Sequence, residues 1–367
     1  SGPAETLLGG LDGIAVPKDL WVEMIDGARK TLEFGEFYAS HEAGQALEPV
    51  LQAVERAGAR GVKIRFLFDK GMIEQDRAVY ERIKAIRNAT VRYYDIKPLT
   101  GGIIHAKYFI VDTKEFFVGS QNFDWRALSQ IHETGARVEH PLLAAQLLSN
   151  FEIDWKIAET GRAPTPPQPT QMTELPQVEI VAAPPQFNPQ GMRPSLEALL
   201  ELFKSAKTSL KIQVMSYSLG RNRAWPVIDD AIRAAAARGV KVKMMVADWT
   251  TGEPSITDLK ALGQVPGIEL KIVTIPQHSS GCIPFSRVIH SKYMVVDGQT
   301  LWLGTSNWSK SYFDSTRGIE LVFRNRMDLA LQGDAIFEQL WASPYAEMVD
   351  PTRVYVTPDR ECTGRGN

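Results

Sequence analysis

Residues 28–63 of this 367-residue chain recur without a gap as residues 206–241, and that repeat limits the fold more tightly than any bulk property. Leu32 falls on Leu210, Phe34 on Ile212 and Phe37 on Met215. The run Ala59-Arg60-Gly61-Val62-Lys63-Ile64 falls on Ala237-Arg238-Gly239-Val240-Lys241-Val242. A chain this long is comfortable with two cores, so the repeat implies two halves of one design. The offset is 178 here and 185 further on, so the second half carries an extra insertion, assigned to residues 277–282.

Periodicity predicts the same alternation in each half. Residues 31–38 and 209–217 read as strands, and 46–57 and 227–237 as helices, with Gly58 and Gly239 at the helix ends. Residues 62–68 and 240–246 are apolar and β-branched, as buried strands are. Strands alternating with helices predict an α/β sheet covered on both faces. The expected organisation is a first half over 1–160, a proline-rich surface linker over 161–194, and a second half over 195–367. The linker contains Pro164, Pro166, Pro167, Pro169, Pro176, Pro184, Pro185 and Pro189, a density that forbids helix and central strand. The last residues, 361–367, are expected to fray.

A second repeat carries chemistry. His105, Lys107 and Asp112 share the spacing of His290, Lys292 and Asp297. Each copy runs on into a small-residue turn and an Asn: Gly119-Ser120-Gln121-Asn122 and Gly304-Thr305-Ser306-Asn307. A carboxylate follows each, Glu133 and Glu320. Two imidazoles, two ammoniums and two amides are what metal-free phosphodiester cleavage requires. One His attacks phosphorus, the other protonates the leaving group, and Lys and Asn hold the charged oxygens. If residues 103–111 and 288–296 are strands, each His and its Lys point the same way. Asp112 and Asp297-Gly298 mark turns, so both Asp are expected to anchor structure or pair with Lys. Glu133 and Glu320 are expected to accept from Nδ1 of a motif His, leaving Nε2 free. One half supplies a single His, so both halves must meet around a pseudo-twofold axis.

The remaining candidates have weaker company. Trp125, Trp308, Tyr312 and Phe313 follow the Asn residues and read as core packing or as a platform for bases or acyl chains. His278 lies in the insertion, a plausible lip of the site, whereas His41, His132 and His140 read as structural or surface residues. Asp69 and Asp248 sit at matching strand ends and read as turn or cap residues. No metal or cofactor is expected: Lys is not a usual ligand, and no His-Glu-x-x-His or paired-cysteine spacing occurs. Formal charge is −2, which excludes a uniformly basic surface. No apolar stretch approaches membrane-spanning length. Cys282 and Cys362 are compatible with a disulfide, and equally with two separate thiols. The chain opens on Ser-Gly-Pro without Met, as after removal of a leader or trimming; a disulfide would favour export, and a secreted, periplasmic or lumenal location is expected on that ground.

These motifs resemble the signature of the phospholipase D superfamily, over roughly residues 20–350. Asn122-Phe123-Asp124-Trp125-Arg126-Ala127-Leu128, Thr305-Ser306-Asn307-Trp308-Ser309, Pro184-Pro185-x-Phe187 and Trp225-Pro226 are similar to the branch of animal endolysosomal phospholipase D-like proteins. The resemblance implies a fold of two α/β sandwich halves with the site between them. It implies a phosphohistidine mechanism without metal, on single-stranded nucleic acid cleaved from the 5′ end, with phospholipid headgroup hydrolysis or transfer as the alternative. A non-catalytic scaffold is the remote third reading. The resemblance further implies His105 and His290 as nucleophile and acid, Lys107, Lys292, Asn122 and Asn307 as phosphate ligands, and Glu133 and Glu320 as orienters. Ser120 and Thr305 would lend support to phosphate.

Overall fold

A computed structural model describes residues 1–165 and 177–364. The first half is a six-stranded sheet in the order Ala89–Tyr94, Lys63–Asp69, Thr31–Glu36, Lys107–Val111, Glu115–Gly119, Gly135–Glu139. Its first three strands are parallel and the remainder antiparallel. The second half repeats this arrangement with Ile268–Val273, Lys241–Ala247, Ser209–Val214, Tyr293–Val296, Thr300–Gly304 and Gly318–Phe323. Strands Ala346–Met348 and Val178–Ala183 extend it at either edge. The expected α/β architecture of two related halves is therefore present.

The repeat fixes local structure in physical terms. Helix Glu48–Ala59 buries Val50, Leu51, Val54 and Ala57 at helical spacing against the sheet. It stops because Gly61 adopts φ 94°, as Gly239 does with φ 89° after the helix Val227–Ala237. The helix therefore runs one residue past the end expected at Gly58, and the glycine that stops it is Gly61. Gly58 lies inside the helix, where a Cβ would come within 2.3 Å of the Arg87 carbonyl oxygen.

The two halves are joined by more than a linker. One apolar core lies on the outer side of each sheet. A third gathers residues of both inner faces, such as Tyr108, Val118, Tyr293 and Leu303, with helices Pro141–Thr160 and Met327–Trp341. The linker expected over 161–194 also needs correction. Val178–Ala183 contains no proline and pairs antiparallel with Gly318–Phe323 as an edge strand of the second sheet. Prolines are confined to its flanks, where a missing N–H costs no ladder bond. Pro166, Pro167, Pro169 and Pro176 lie outside the described residues. Cys282 and Cys362 form a disulfide with Cα atoms 5.8 Å apart, tying the insertion to the C-terminal segment.

The motif Asp residues hold turns. Asp112 sits at φ 53°, and its carboxylate accepts from the backbone N–H groups of Arg29, Lys30 and Thr31 at 2.9, 2.6 and 2.9 Å. Asp297 does the same for Lys207, Thr208 and Ser209. Each Asp thereby satisfies donors at the start of the first strand of its half, and neither pairs with the motif Lys.

Candidate active site

Regular strand begins later than the alternation pattern suggests, at Lys107 and Tyr293, so both motif His precede their strands. Their segments are stitched to the opposite half instead. His105 N–H donates to the Arg317 carbonyl at 2.9 Å, and Arg317 N–H donates to the Ile103 carbonyl at 2.9 Å. In mirror fashion, His290 N–H donates to the His132 carbonyl at 2.8 Å, and His132 N–H to the Val288 carbonyl at 3.0 Å. Arg317 and His132 correspond under the 185-residue offset, so this is the contact pattern of a pseudo-twofold axis. It brings the two imidazoles to 6.3 Å between ring centroids.

Side chains beneath the rings follow the same duplication. Lys107 Nζ donates to the His105 carbonyl at 2.8 Å, and Lys292 Nζ to the His290 carbonyl at 2.6 Å. Both are buried, and burial pushes both ammoniums down, Lys107 to about 7 and Lys292 well below its usual range. Asn122 Nδ2 donates to the Tyr38 hydroxyl at 3.3 Å and Asn307 Nδ2 to the Tyr312 hydroxyl at 3.1 Å. The Oδ1 atom of each Asn is buried with no hydrogen-bond partner among the described residues.

The carboxylates break the symmetry. Glu133 is fully buried, and its two oxygens accept from His290 Nδ1 at 2.9 and 3.0 Å. Burial still holds the His290 imidazolium down at about 4, with Glu133 raising it and the Lys charges lowering it. His105 Nδ1 donates instead to the Thr305 carbonyl at 2.8 Å. A carbonyl only accepts, so Nδ1 carries the proton and Nε2 of the neutral ring holds the lone pair. Burial, then the neighbouring Lys107 and Lys292 charges, keep this ring neutral far into the acid range.

Glu320 does not orient His105, contrary to expectation. The strand pairings show why: Gly119 faces Gly135, and Gly304 faces Glu320. Glu320 therefore occupies the place of Gly135, and the place of Glu133 is taken by Gly318. A Cβ at Gly318 would come within 2.3 Å of Ser306 Oγ, so no longer side chain fits there. Glu320 is bonded by the hydroxyls of Ser195 and Ser306, and burial raises its carboxyl to about 7.

Other expected participants divide. Ser120 Oγ accepts from Thr134 N–H at 3.0 Å, and Thr305 Oγ1 accepts from Ile319 N–H at 3.1 Å, so both hydroxyls lock adjacent strands. Thr305 nevertheless serves the site through its carbonyl. Tyr312 stands edge-on to His105 at 5.0 Å. Trp308 does not line the site: it is fully buried against Phe203 and Trp302. Trp125 packs half-buried on the first outer core. His278 bonds Ser280 and pairs with Glu5, away from the motif residues. His41 pairs with Glu48, His140 caps helix Pro141–Thr160, and His132 bonds Gln213 and Ser291. Asp69 accepts from Gly71 and Ile104 N–H groups at a strand end, as a cap does. Among the described residues no cluster of three or more His, Cys, Asp or Glu is placed to hold a metal ion.

Sequence reasoning missed three groups. Phe37 packs 5.2 Å from the His105 ring, and Tyr38 bonds Asn122. Arg317 is fully buried on Asp154 at 2.7 Å, with bonds to Asn188 and the Ala183 and Phe187 carbonyls. Its guanidinium thus fastens the second half to a first-half helix while its backbone holds His105. Aligning 105 with 290 and asking which residue falls on Arg317 would have exposed the stitching pair.

A family model described as "Cardiolipin synthase, PLD-like domain" matches residues 21–155 and again 199–341. The chain is 33% identical over 371 residues to 5'-3' exonuclease PLD3 of Bos taurus, spanning 90% of this chain and 75% of that protein. It is 29% identical over 392 residues to 5'-3' exonuclease PLD4 of Mus musculus, spanning 93% and 76%. Its fold overlays that of phosphatidylserine synthase from Haemophilus influenzae Rd KW20 with a TM-score of 0.68 at 12% identity, over 92% of this chain and 86% of that one.

Proposed function

The chain belongs to the phospholipase D superfamily, in the branch of the animal exonucleases named above, and on that footing we propose that it is a metal-independent phosphodiesterase acting on single-stranded nucleic acid from the 5′ end. The observation that carries the reading is the pair of unequal imidazoles. His105, bound through Nδ1 to a carbonyl, offers a lone pair at Nε2. His290, bound through Nδ1 to a buried carboxylate, is the ring better able to hold a second proton.

The chemistry follows in two steps. Nε2 of His105 forms a bond to phosphorus while the bond from phosphorus to the leaving oxygen breaks. That oxygen takes the electron pair and the proton of His290. Neutral His290 then removes a proton from water, whose oxygen attacks phosphorus as the N–P bond breaks and its electrons return to His105. Lys107, Lys292 and the two Asn amides bind the non-bridging oxygens, which gain charge in the transition state. Phe37 and Tyr312, flanking His105, are the nearest surfaces for a nucleobase attached to the scissile phosphate.

The deciding assay gives the protein 5′-hydroxyl single-stranded oligonucleotide and, separately, mixed phospholipid vesicles, each with and without EDTA. Stepwise shortening from the 5′ end, insensitive to EDTA and abolished by His290→Ala, supports the proposal. Released headgroup or exchanged alcohol with an intact oligonucleotide moves the same chemistry to phospholipid. Loss of turnover in EDTA refutes the metal-free mechanism.

A further inference from the structure

We infer that Asp124 and Tyr38 are positioning residues for the diester reaction: Asp124 takes the Tyr38 hydroxyl proton, and the Tyr38 oxygen then fixes the Asn122 side chain with its amide nitrogen, rather than its amide oxygen, as the group offered to phosphate. The inference rests on the phosphodiesterase reading but not on the nucleic-acid substrate.

Local pairing brings these groups together. Ala39–Ser40 and Phe123–Asp124 form a two-stranded parallel ribbon, with Ala39 opposite Phe123 and Ser40 opposite Asp124. One step back along both strands sets Tyr38 beside Asn122. Asp124 is fully buried. Its Oδ1 accepts from the Arg126 backbone N–H at 2.8 Å, as a cap of the helix Trp125–Ser129 does. The cap does not need Oδ2. That oxygen accepts from the Tyr38 hydroxyl at 2.8 Å and lies 2.9 Å from the Arg126 guanidinium. Arg126 is held in turn from the second half: its Nη1 donates to the Pro284 carbonyl at 3.0 Å, two residues from the disulfide cysteine Cys282.

The single Tyr38 proton decides the orientation of Asn122. A carboxylate paired with a guanidinium only accepts, so that proton is committed to Asp124. Burial, then the Asp124 charge, push the Tyr38 hydroxyl well above its usual range, so it keeps the proton. The Tyr38 oxygen can then only accept, and the Asn122 atom 3.3 Å away is Nδ2 rather than Oδ1. One amide hydrogen goes to Tyr38, and the second is left for a phosphate oxygen. An amide turned over would present Oδ1 to that oxygen, a repulsion in place of a bond. The second half lacks the device, since residue 38 falls on Ser216 and residue 124 on Ser309. Tyr312 bonds Asn307, but among the described residues no carboxylate bonds the Tyr312 hydroxyl.

The test uses Tyr38→Phe, which keeps the ring, and Asp124→Asn, which keeps the cap. In Asp124→Asn the new amide can donate to the Tyr38 oxygen, freeing the hydroxyl proton for Asn122 Oδ1, so both orientations become available. The substrates are methyl 4-nitrophenyl phosphate and the two stereoisomers of its phosphorothioate, which place sulfur at one or the other non-bridging position. Each variant is expected to lower kcat/KM on the oxygen diester about tenfold, the scale of one hydrogen bond to a charged group. One phosphorothioate isomer, with sulfur already at the position Asn122 binds, should lose no more than about twofold, and the other the full factor. A structural defect would lower both isomers alike. In an Asn122→Ala background, Tyr38→Phe should likewise cost no more than about twofold, because the group it acts through is gone. Calorimetry of sulfate binding repeats this cycle without turnover. A wild-type chain inactive on the diester therefore overturns the phosphodiesterase reading alone, while the sulfate cycle still decides the inference. Should Asp124→Asn not fold, Tyr38→Phe decides it. Equal loss on both isomers, or additive losses for Tyr38→Phe and Asn122→Ala, overturns the inference.

Discussion

Replacing Glu133 by Gln separates the two roles assigned to the histidines. Gln keeps the size of the side chain, and its carbonyl still accepts from His290 Nδ1, but the negative charge is gone. Glu133 is fully buried and spans both contacts to the ring at 2.9 and 3.0 Å, so solvent screens this charge little. A charge-assisted hydrogen bond of this kind is worth about 1.5–3 kcal/mol. That corresponds to roughly 10- to 150-fold in rate if it acts only on protonated His290. The loss should depend on the leaving group. An alkoxide must be protonated as it departs, whereas 4-nitrophenolate departs without a proton. Rapid mixing of Glu133→Gln with a 4-nitrophenyl diester should therefore retain a fast burst of about one equivalent of nitrophenolate, followed by slow turnover while water attack awaits its base. Cleavage of an alkyl diester should fall by the full factor from the first turnover. Equal loss of burst and of alkyl cleavage would refute the assignment of His290 as the acid. It would place Glu133 on the nucleophile instead.

Four further outcomes follow from the same geometry. Glu320→Gln should retain activity within a few-fold. The raised folded carboxyl, about 7, favours the protonated form, so its stabilisation is full below the unfolded value and lost as pH rises through about 7. The variant should gain about 2–3 kcal/mol over wild type at pH 8.5 but little at pH 4, read from urea denaturation; no gain at high pH would contradict this. Asp112→Ala should cost about 2–3 kcal/mol by leaving three strand-start N–H groups without their acceptor, while kcat of the folded fraction is unchanged; a selective loss of kcat would place Asp112 in the chemistry. The pH profile of kcat/KM should peak on the acid side of neutrality. Activity rises as pH falls through about 7, where Lys107 charges, and on toward about 4, where His290 does; an optimum above pH 8 would exclude the assignment. Tyr312→Phe, which frees the Asn307 amide but keeps the ring against His105, should lower kcat no more than about tenfold, and Tyr312→Ala should lower it further.

Much of this site is legible in the chain because duplication makes spacing informative. The 17-residue separation of His and Asn and the 185-residue offset put His105, Lys107, Asn122, His290, Lys292 and Asn307 together before any coordinates. The alternation of short apolar runs with helical spacing likewise gives the two α/β halves. What the repeat hides is asymmetry. Glu320 reads as the partner of Glu133 because it follows a motif at a similar distance, yet a two-residue displacement along a strand sends it to Ser195 and Ser306. Trp308 directly follows Asn307, but burial between Phe203 and Trp302 makes it core. The strand Val178–Ala183 was masked by the prolines around it.

The account turns on His105 as the atom that bonds to phosphorus. The most direct measurement is rapid acid-free quenching of enzyme with excess 5′-hydroxyl oligonucleotide, followed by mass spectrometry of the intact chain and of its peptides. The expected result is one nucleotidyl phosphoryl group per chain, on the peptide containing His105 and absent from His105→Ala. Glu133→Gln, cut slowly on release, should accumulate it with an activated diester. Label on the His290 peptide would invert the two roles, and turnover without any covalent adduct would contradict the mechanism.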